Sequence, residues 1–517
     1  MRRVATVVAL ASWAALAWRF NFVCDDAFIS FRYARHLAEG LGLGYNPGLE
    51  PPVEGYTNFL WVLWCAVFEA LGVDVTVGAR LSSVACGAAT LLWVVRAAER
   101  SLGLAGPFAA LPALLLAALP PFAVWSTSGL DTLPFTLALF ATWERLLGDP
   151  ARPHPFHAAA AGVLAALLRA DGAVFVGLIL GLALLRAAAG RQRPLARGAL
   201  VAGVLVGAAV AAHLAFRLAY YGDLLPNTAH AKVSFSPFAL AQGRNYVVAM
   251  ALSFPALGLV PLAAIAWMAV RRSAAPPAPE LTALVLGIAA YVAVVAGGDF
   301  MPMARLLVPA LPFVAVLALV PLRGIGAAPR GRRAAWLAWP ALLAAISLPP
   351  AFGAHVVPDA LRYRFRFRAP IAMSELAFWK VERDRTRDFA RVGRELARFT
   401  RPGETYVGEP IGAIGYYSRL GIYDRYGLVT REVALREVPD AELRQPYRPP
   451  GHHKKVPREF FLPKRPDYLE VLIVPRPGGP STLPGYRAVY HRLSDPADPS
   501  PQYLYLLQRE GLERERE

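Results

Sequence analysis

Long apolar runs separated by short arginine-containing loops fill the chain up to Phe352 and constrain its fold more than any other feature. Of its 517 residues, 56% are hydrophobic and 18% are charged, whereas a soluble domain has about 25% charged residues. A helix of roughly 20 apolar residues crosses a bilayer. The pattern predicts a polytopic α-helical membrane domain over residues 1–357, followed by a polar, arginine-rich tail over residues 358–517.

The apolar runs predict about eleven membrane crossings. They are Val4–Phe20, Leu81–Val95, Phe108–Trp125, Thr132–Leu147, Phe156–Leu168, Ala173–Leu185, Ala199–Phe216, Val247–Val270, Leu281–Ala296, Leu306–Val320 and Ala334–Phe352. The further run Thr57–Leu71 is expected to lie in the outer interface, because the loop arginines then fall on the inner side as the positive-inside rule requires. For the same reason, Phe156–Leu168 and Ala173–Leu185 are predicted to form a hairpin of two short helices.

With this arrangement the acidic and basic clusters between the runs share one membrane face, predicted to be extracytoplasmic. The clearest cluster is the pair Asp25 and Asp26, directly after the first apolar run. Acids beside a bilayer are functional candidates, so either aspartate is a candidate general base, and the alternative is that the pair caps the amphipathic helix that follows. Candidate donor-phosphate ligands are Arg169, His230, Lys232 and Arg305. Candidate substrate-binding residues are Arg32, Glu54, Tyr56, Asn58, Asp131, Asp171, Asp223, Asn227 and Asp299.

These residue types suit the transfer of a sugar from a lipid-phosphate carrier. The cations can stabilise the departing phosphate, and one carboxylate can deprotonate an acceptor hydroxyl. Structural alternatives exist for both sets: the cations can reach lipid headgroups, and the acids can hold the arginines in ion pairs. No Gly-rich phosphate loop or Rossmann signature is evident, as expected for a site outside the cell that uses no nucleotide.

The net charge of +17 does not by itself indicate a nucleic-acid partner. The arginines lie in the short loops, and no zinc spacing or RNA-binding signature accompanies them, so no nucleic acid is expected. The three cysteines, Cys24, Cys65 and Cys86, are too few for a disulfide framework and are expected to be buried thiols, with a Cys24–Cys65 pair as the alternative. The Asp25–Asp26 pair lacks an accompanying set of metal ligands, so a divalent cation is left open as a cofactor.

Short strings throughout the chain form a specific combination. They are Asp25–Arg35, Tyr45–Gly48, Val53–Asn58, Ser128–Asp131, Arg169–Gly172, Tyr221–Lys232, Gly298–Met301, Gly412–Ser418, Asp424–Leu428 and Gly451–Lys454. Together they resemble the C-type (GT-C) membrane glycosyltransferases. The resemblance is strongest to the terminal arabinofuranosyltransferases of the arabinogalactan wall and to the flagellar motor-control membrane proteins related to them.

The resemblance implies a GT-C-like fold with outer juxtamembrane helices, and an inverting transfer from a polyprenyl-phosphate sugar donor. It also implies a bacterial inner-membrane location, an extracytoplasmic active site, and a glycan or glycolipid acceptor, with arabinofuranose as a candidate sugar. The catalytic acid of such enzymes lies in the first outer loop, where Asp25 matches best by position and Asp26 is the alternative. The chain departs from the family pattern at Ala170, where a proline is expected, and at His453, where an acid is expected.

The tail is predicted to be a small extracytoplasmic α/β domain, because the strand-like runs Thr405–Gly408 and Val471–Val474 lie among helical segments. Its aromatic residues Tyr416, Tyr417 and Tyr423 either bind acceptor glycan or pack inside the domain. Two other functions compete with the enzyme. One is a transporter of lipid-linked sugars, for which an inverted repeat is typical and none is evident; the other is a non-enzymatic scaffold of the envelope or flagellar motor.

Overall fold

The computed structural model describes residues 1–233, 235–271, 276–323, 325, 329–365, 373–439, 442, 450–478, 483–493 and 502–512. The helices are α1 (Arg2–Arg19), α2 (Asp25–Ala38), α3 (Phe59–Ala70), α4 (Val75–Leu102), α5 (Leu111–Ala117), α6 (Pro120–Val124), α7 (Thr132–Trp143), α8 (Pro155–Leu168), α9 (Gly172–Gly190), α10 (Arg193–Tyr221), α11 (Asn227–Lys232), α12 (Pro237–Ser253), α13 (Ala256–Arg271), α14 (Ala278–Val294), α15 (Leu311–Leu317), α16 (Arg330–Ser347), α17 (Asp359–Tyr363), α18 (Glu375–Phe399), α19 (Gly412–Ser418) and α20 (Arg431–Ala434). The strands are β1 (Thr405–Gly408), β2 (Gly421–Asp424), β3 (Tyr468–Val474), β4 (Tyr486–Leu493) and β5 (Gln502–Arg509).

Several helices have the length and composition of membrane spans. Among the described residues, four qualify: α4, α9, α10 and the segment Arg305–Leu322, which includes α15. The pair α12 and α13 makes a fifth if it forms one span. Helices α3 and α8 are shorter and apolar, as is α14. The prediction of about eleven crossings therefore stays a prediction, as does the interfacial position of α3.

Prolines break two of the predicted crossings. The run Phe108–Trp125 is divided between α5 and α6, and Pro120 and Pro121 open α6. The run Val247–Val270 is divided between α12 and α13, which meet near Pro255 and are bent by 91°. Since proline has no backbone N–H, it cannot continue the hydrogen bonds of a helix. Each of these runs is therefore divided into two helices, and its single membrane crossing stays a prediction. Helices α8 and α9 form the predicted hairpin, but α9 has 19 residues and is not short.

The tail carries a five-stranded mixed sheet with the strand order β2-β1-β3-β5-β4. Strand β1 pairs in parallel with β2 and β3, and β5 pairs antiparallel with β3 and β4. Both strand-like runs of the sequence lie in this sheet, in β1 and β3. Helix α18 packs against α19 beside the sheet. The small α/β fold of the tail is thus observed, while the predicted domain boundary between residues 357 and 358 stays a prediction.

Helix α2 joins the tail to the N-terminal helices. Its Arg32 is buried, and its guanidinium donates hydrogen bonds to the carbonyl oxygens of Gly415 (2.8 Å) and Leu420 (2.7 Å). The side chain of Asn46 donates to the carbonyl of Ile422 (2.8 Å) and accepts from its N–H (2.9 Å), in the manner of a strand partner. These contacts fix the tail directly above the first turn of α2, where the two aspartates lie.

Candidate active site

A cavity of about 890 Å³ lies between the helices and the tail. This volume falls in the range of small-molecule sites, which is about 300–1,000 Å³. Ten of the candidate residues line it: Asp26, Tyr56, Asn58, Asp131, Arg169, Asp171, His230, Lys232, Asp299 and Arg305. The structure thus brings together side chains that are far apart in sequence, as the shared membrane face predicted.

Arg305 is the centre of the charged cluster in this cavity. Its guanidinium contacts both carboxylate oxygens of Asp299 (2.8 and 3.0 Å) and one of Asp26 (3.0 Å). The side chain of Arg305 is 14% exposed and that of Asp26 is 23% exposed. The rigid fork of an arginine suits such a two-carboxylate contact. Arg305 therefore holds the Asp26 carboxylate in a fixed position at the cavity wall.

The turn before Arg305 is strained. Met303 and Ala304 both adopt left-handed backbone, with φ of 57° and 50°, which costs of order 1 kcal/mol or more per residue. The indole N–H of Trp125 donates to the Met303 carbonyl (2.9 Å), and Glu375 accepts from the Met303 N–H (2.7 Å). These buried contacts hold Arg305 at the cavity, which is typical of strain kept at a functional site.

Asp26 is an ionised carboxylate at neutral pH. Burial alone would raise its pKa, but the positive charges of Lys232 and Arg305 hold the pKa below its ordinary value. Lys232 lies at the end of α11 and forms no ion pair with any residue that the structure describes. The site thus combines a carboxylate that can take a proton with a cation that can bind an anion.

Asp25 points away from the cavity and towards the tail. Its carboxylate accepts the backbone N–H of Ala413 (2.8 Å) at the start of α19. A side chain on Gly412 would collide with it, since a Cβ there would lie 2.6 Å from the Asp25 carboxylate. Burial, opposed by the Ala413 N–H, raises the pKa of Asp25 to about 7. The alternative that the pair caps its own helix is wrong, because neither side chain caps α2, and Cys24 occupies the cap position.

A second polar group lies along the same cavity. Arg169 forms a two-pronged ion pair with Asp171 (2.9 Å for both contacts). The amide of Asn58 donates to Asp131 (3.0 Å) and to the hydroxyl of Ser30 (3.1 Å). Asp171 therefore already neutralises Arg169. This agrees with the alternative that the acids hold the arginines in ion pairs. The free lone pairs of these acids can accept hydrogen bonds from sugar hydroxyls.

Four substrate-binding candidates are not among the described residues that line the cavity. Arg32 is used by the tail contacts described above. Glu54 forms a buried ion pair with Arg217 (2.6 Å). Asp223 accepts from Arg431 (2.8 Å) and pairs with His230 (3.0 Å), and the Asn227 amide donates to the Gly427 and Leu428 carbonyls (2.8 and 2.9 Å). These side chains support the walls of the cavity rather than facing its interior.

The tail adds cavity residues to which the sequence analysis assigned no role. They are Leu428, Pro450, Gly451, His452 and Lys454. The signal was present in the string Gly451–Lys454, in which two histidines and a lysine follow a glycine. In contrast, the tyrosine Tyr416 packs in the domain interface, where its hydroxyl donates to Glu69 (2.7 Å). The described residues include no cluster of three or more His, Cys, Asp or Glu side chains placed to hold a metal ion, and all three cysteines are free thiols.

The chain is similar to two curated relatives over more than half of its length. It is 29% identical over 364 residues to the terminal β-(1→2)-arabinofuranosyltransferase of Mycobacterium tuberculosis, covering 62% of this chain and 55% of the relative. It is 30% identical over 356 residues to the protein of the same name from Corynebacterium glutamicum, covering 60% and 49%. The chain thus spans about half the length of these relatives.

The fold also matches solved structures. The chain superposes on ArnT from Cupriavidus metallidurans bound to undecaprenyl phosphate with a TM-score of 0.50 at 15% identity, covering 81% of this chain and 85% of that one. The apo form of the same protein gives 0.51 at 15% identity, with 81% and 84% covered. Residues 375–506 match a family described as a domain of unknown function. The chain has an ArnT-like fold, mostly helical with a small C-terminal sheet, and its resemblance to the terminal arabinofuranosyltransferases is confirmed by the two relatives.

Proposed function

We propose that this chain is an inverting membrane glycosyltransferase that moves a sugar from a polyprenyl-phosphate donor to an extracytoplasmic glycan or glycolipid. The observation that carries the proposal is the convergence of Asp26, Arg305 and Lys232 on one cavity. The names of the two relatives make arabinofuranose the first sugar to test. The undecaprenyl phosphate named for ArnT supports a lipid-linked donor.

In the proposed reaction, Lys232 binds the donor phosphate, because its ammonium forms no ion pair with an acid in the described part of the chain. Asp26 takes the proton of the acceptor hydroxyl, whose oxygen attacks the anomeric carbon from the side opposite the phosphate. The bond from that carbon to the phosphate oxygen breaks, and the phosphate leaves with the electron pair. Lys232 stabilises the added charge. Arg305 orients Asp26 and keeps it ionised before the attack.

The rim of the cavity supports a donor that remains in the bilayer. Leu224, Leu225 and Phe235 line the cavity, yet they are 50%, 54% and 75% exposed. Helix α10 supplies Val210 and Leu214 to the cavity wall, although only 17% of its most apolar stretch is buried inside the protein. Exposed apolar surface of this kind suits contact with lipid. We propose that the polyprenyl chain enters sideways past this rim, with the cavity and the tail on the extracytoplasmic side of a bacterial inner membrane.

The test is turnover of defined donors by the purified chain. Polyprenyl-phosphate arabinofuranose and a panel of polyprenyl-phosphate hexoses are incubated with an arabinan or glycolipid acceptor, and released polyprenyl phosphate and glycosylated product are measured by mass spectrometry. The proposal expects one donor to be consumed with product of inverted anomeric configuration. A scaffold or a transporter would consume none of them, and a folded chain that binds donor lipid but forms no product with any member of the panel would refute the proposal.

A further inference from the structure

The tail places an imidazole in the cavity beside the charged cluster. His452 lies between two aromatic rings that meet it edge to face, Phe300 (centroids 4.8 Å apart) and Tyr426 (4.6 Å). Phe300 belongs to the loop before Arg305, and Tyr426 belongs to the tail. The imidazole ring therefore packs against both the N-terminal part and the tail, and this aromatic packing fixes its orientation.

One hydrogen bond determines which nitrogen carries the proton. Nδ1 of His452 lies 3.0 Å from the carbonyl oxygen of Pro450. A carbonyl can only accept, so Nδ1 is the donor. Burial and the nearby charge of Lys232 lower the pKa of His452 to about 4, so the ring is neutral at physiological pH. In a neutral ring with Nδ1 protonated, Nε2 carries a lone pair and is a hydrogen-bond acceptor.

The loop that carries His452 is seated against the proposed phosphate ligand. Gly451 has φ of +75°, and a Cβ there would lie 3.4 Å from Cγ of Lys232. The charges that act on the ring come from Lys232 on α11, from Asp26 on α2 and from Asp299 in the loop before Arg305. Nε2 forms no hydrogen bond with a residue in the described ranges. This acceptor is thus available beside the groups that would hold the phosphate and the attacking hydroxyl.

We infer that His452 is a substrate-binding residue whose Nε2 accepts a hydrogen bond from a sugar hydroxyl group, so that the tail takes part in substrate recognition. The inference rests on the proposed function, because it needs a hydroxyl-bearing substrate in the cavity. The hydroxyl belongs either to the donor sugar or to the acceptor, and both have the same chemistry.

Matched variants separate hydrogen bonding from packing. His452→Phe keeps an aromatic ring between Phe300 and Tyr426 but removes both nitrogens. His452→Asn keeps a donor for Pro450 without an acceptor at the Nε2 position, and His452→Gln places an acceptor near that position. We expect kcat/KM to fall roughly 3- to 10-fold in the Phe and Asn variants, the usual effect of one lost neutral hydrogen bond, and to recover partly in the Gln variant.

Deoxy substrates identify the partner hydroxyl. Wild type and His452→Phe are assayed with donors and with acceptors that lack one hydroxyl each. If His452 binds a given hydroxyl, removing that hydroxyl should lower the kcat/KM of the wild type by about the same factor as the His452→Phe substitution does with the intact substrate. Removing it should not lower the kcat/KM of the variant further, because the substitution and the deoxy substrate remove the same contact. Non-additivity with a deoxy donor assigns the hydroxyl to the donor, and non-additivity with a deoxy acceptor assigns it to the acceptor.

The outcomes are distinct. Losses that simply multiply for every deoxy donor and acceptor would overturn the inference while leaving the proposed function intact. Unchanged kinetics in both the Phe and Asn variants would do the same. If the wild type transfers no sugar at all, the proposed function fails and the inference falls with it. Thermal unfolding midpoints in detergent exclude misfolding of a variant, and the Asn variant replaces the Phe variant if the latter does not fold.

Discussion

Asp26→Asn and Asp25→Asn make a matched pair that separates chemistry from structure. The two acids are adjacent in sequence, yet Asp26 faces the cavity and Arg305 while Asp25 accepts the Ala413 N–H. Removing the Asp26 carboxylate removes the proposed base, an effect of roughly 10²–10⁴ in rate. The asparagine oxygen can still accept from Arg305, and Asp299 still neutralises that arginine, so the fold should persist. In Asp25→Asn the amide oxygen can still accept from Ala413, so transfer should change less than about 3-fold.

The Asp25→Asn variant should also differ from wild type in how its stability depends on pH. The pKa of Asp25 rises from the ordinary 3.8 to about 7 on folding, so the folded state retains a proton that the unfolded state releases. Below about pH 4 both states are protonated; between about pH 4 and 7 only the unfolded state ionises, and stability falls as pH rises. This loss of stability is at most about 4 kcal/mol. The actual loss is smaller, because the Asp25 side chain is partly exposed to solvent. Asparagine does not titrate, so Asp25→Asn should gain stability relative to wild type between pH 5 and 8.

Two assays decide the matter. Initial transfer rates at pH 7 are measured for both variants with saturating donor, and unfolding midpoints are measured in detergent at pH 5 and pH 8. The reasoning is refuted if Asp25→Asn loses transfer as severely as Asp26→Asn while remaining folded, because Asp25 would then be the base despite its contact with the tail. It also fails if the stability difference between wild type and Asp25→Asn is the same at both pH values.

Three further predictions concern the phosphate site, the domain junction and the rim. Lys232→Met should raise the donor KM by roughly 10- to 100-fold, the usual weight of a hydrogen bond to a charged group, in steady-state kinetics with purified donor; an unchanged KM would place the phosphate elsewhere. Arg32→Ala should destabilise the tail by about 2–4 kcal/mol and expose it to limited proteolysis, because the buried guanidinium bonds two tail carbonyls; resistance equal to wild type would contradict this. Phe235→Ser should weaken turnover of a long-chain donor more than that of a short-chain analogue, and equal losses for both would argue against lateral entry.

The helices of the N-terminal part could be predicted because apolar runs are a property of local sequence. The breaks at Pro120 and Pro255 could also have been predicted from the missing backbone N–H groups. The number of crossings is harder, because runs as short as Pro155–Leu168 fall below the usual span length and composition alone does not decide their path. The sheet could be predicted only as two isolated strands, since its pairing depends on contacts between distant segments.

Most of the residues that line the site could be predicted from the sequence, but the orientation of their side chains could not. Adjacent residues of a helix point about 100° apart, and of the pair only Asp26 lines the cavity. Which of them does so depends on the tail, whose Ala413 lies 388 positions from Asp25. Arg32 was similarly predicted to bind substrate, and its true acceptors are backbone carbonyls that leave no trace in the sequence. His452 needed the folded tail to bring it beside Lys232.

The central claim is that the cavity at Asp26 and Lys232 holds a lipid-borne sugar phosphate. A cryo-electron microscopy structure of the chain in lipid nanodiscs with polyprenyl phosphate tests it most directly. The account predicts the phosphate group within hydrogen-bond distance of the Lys232 ammonium, with the prenyl chain leaving past Phe235 along α10. Density for the phosphate at the arginines of the opposite end of the bundle, such as Arg96 and Arg100, with the cavity empty, would contradict it.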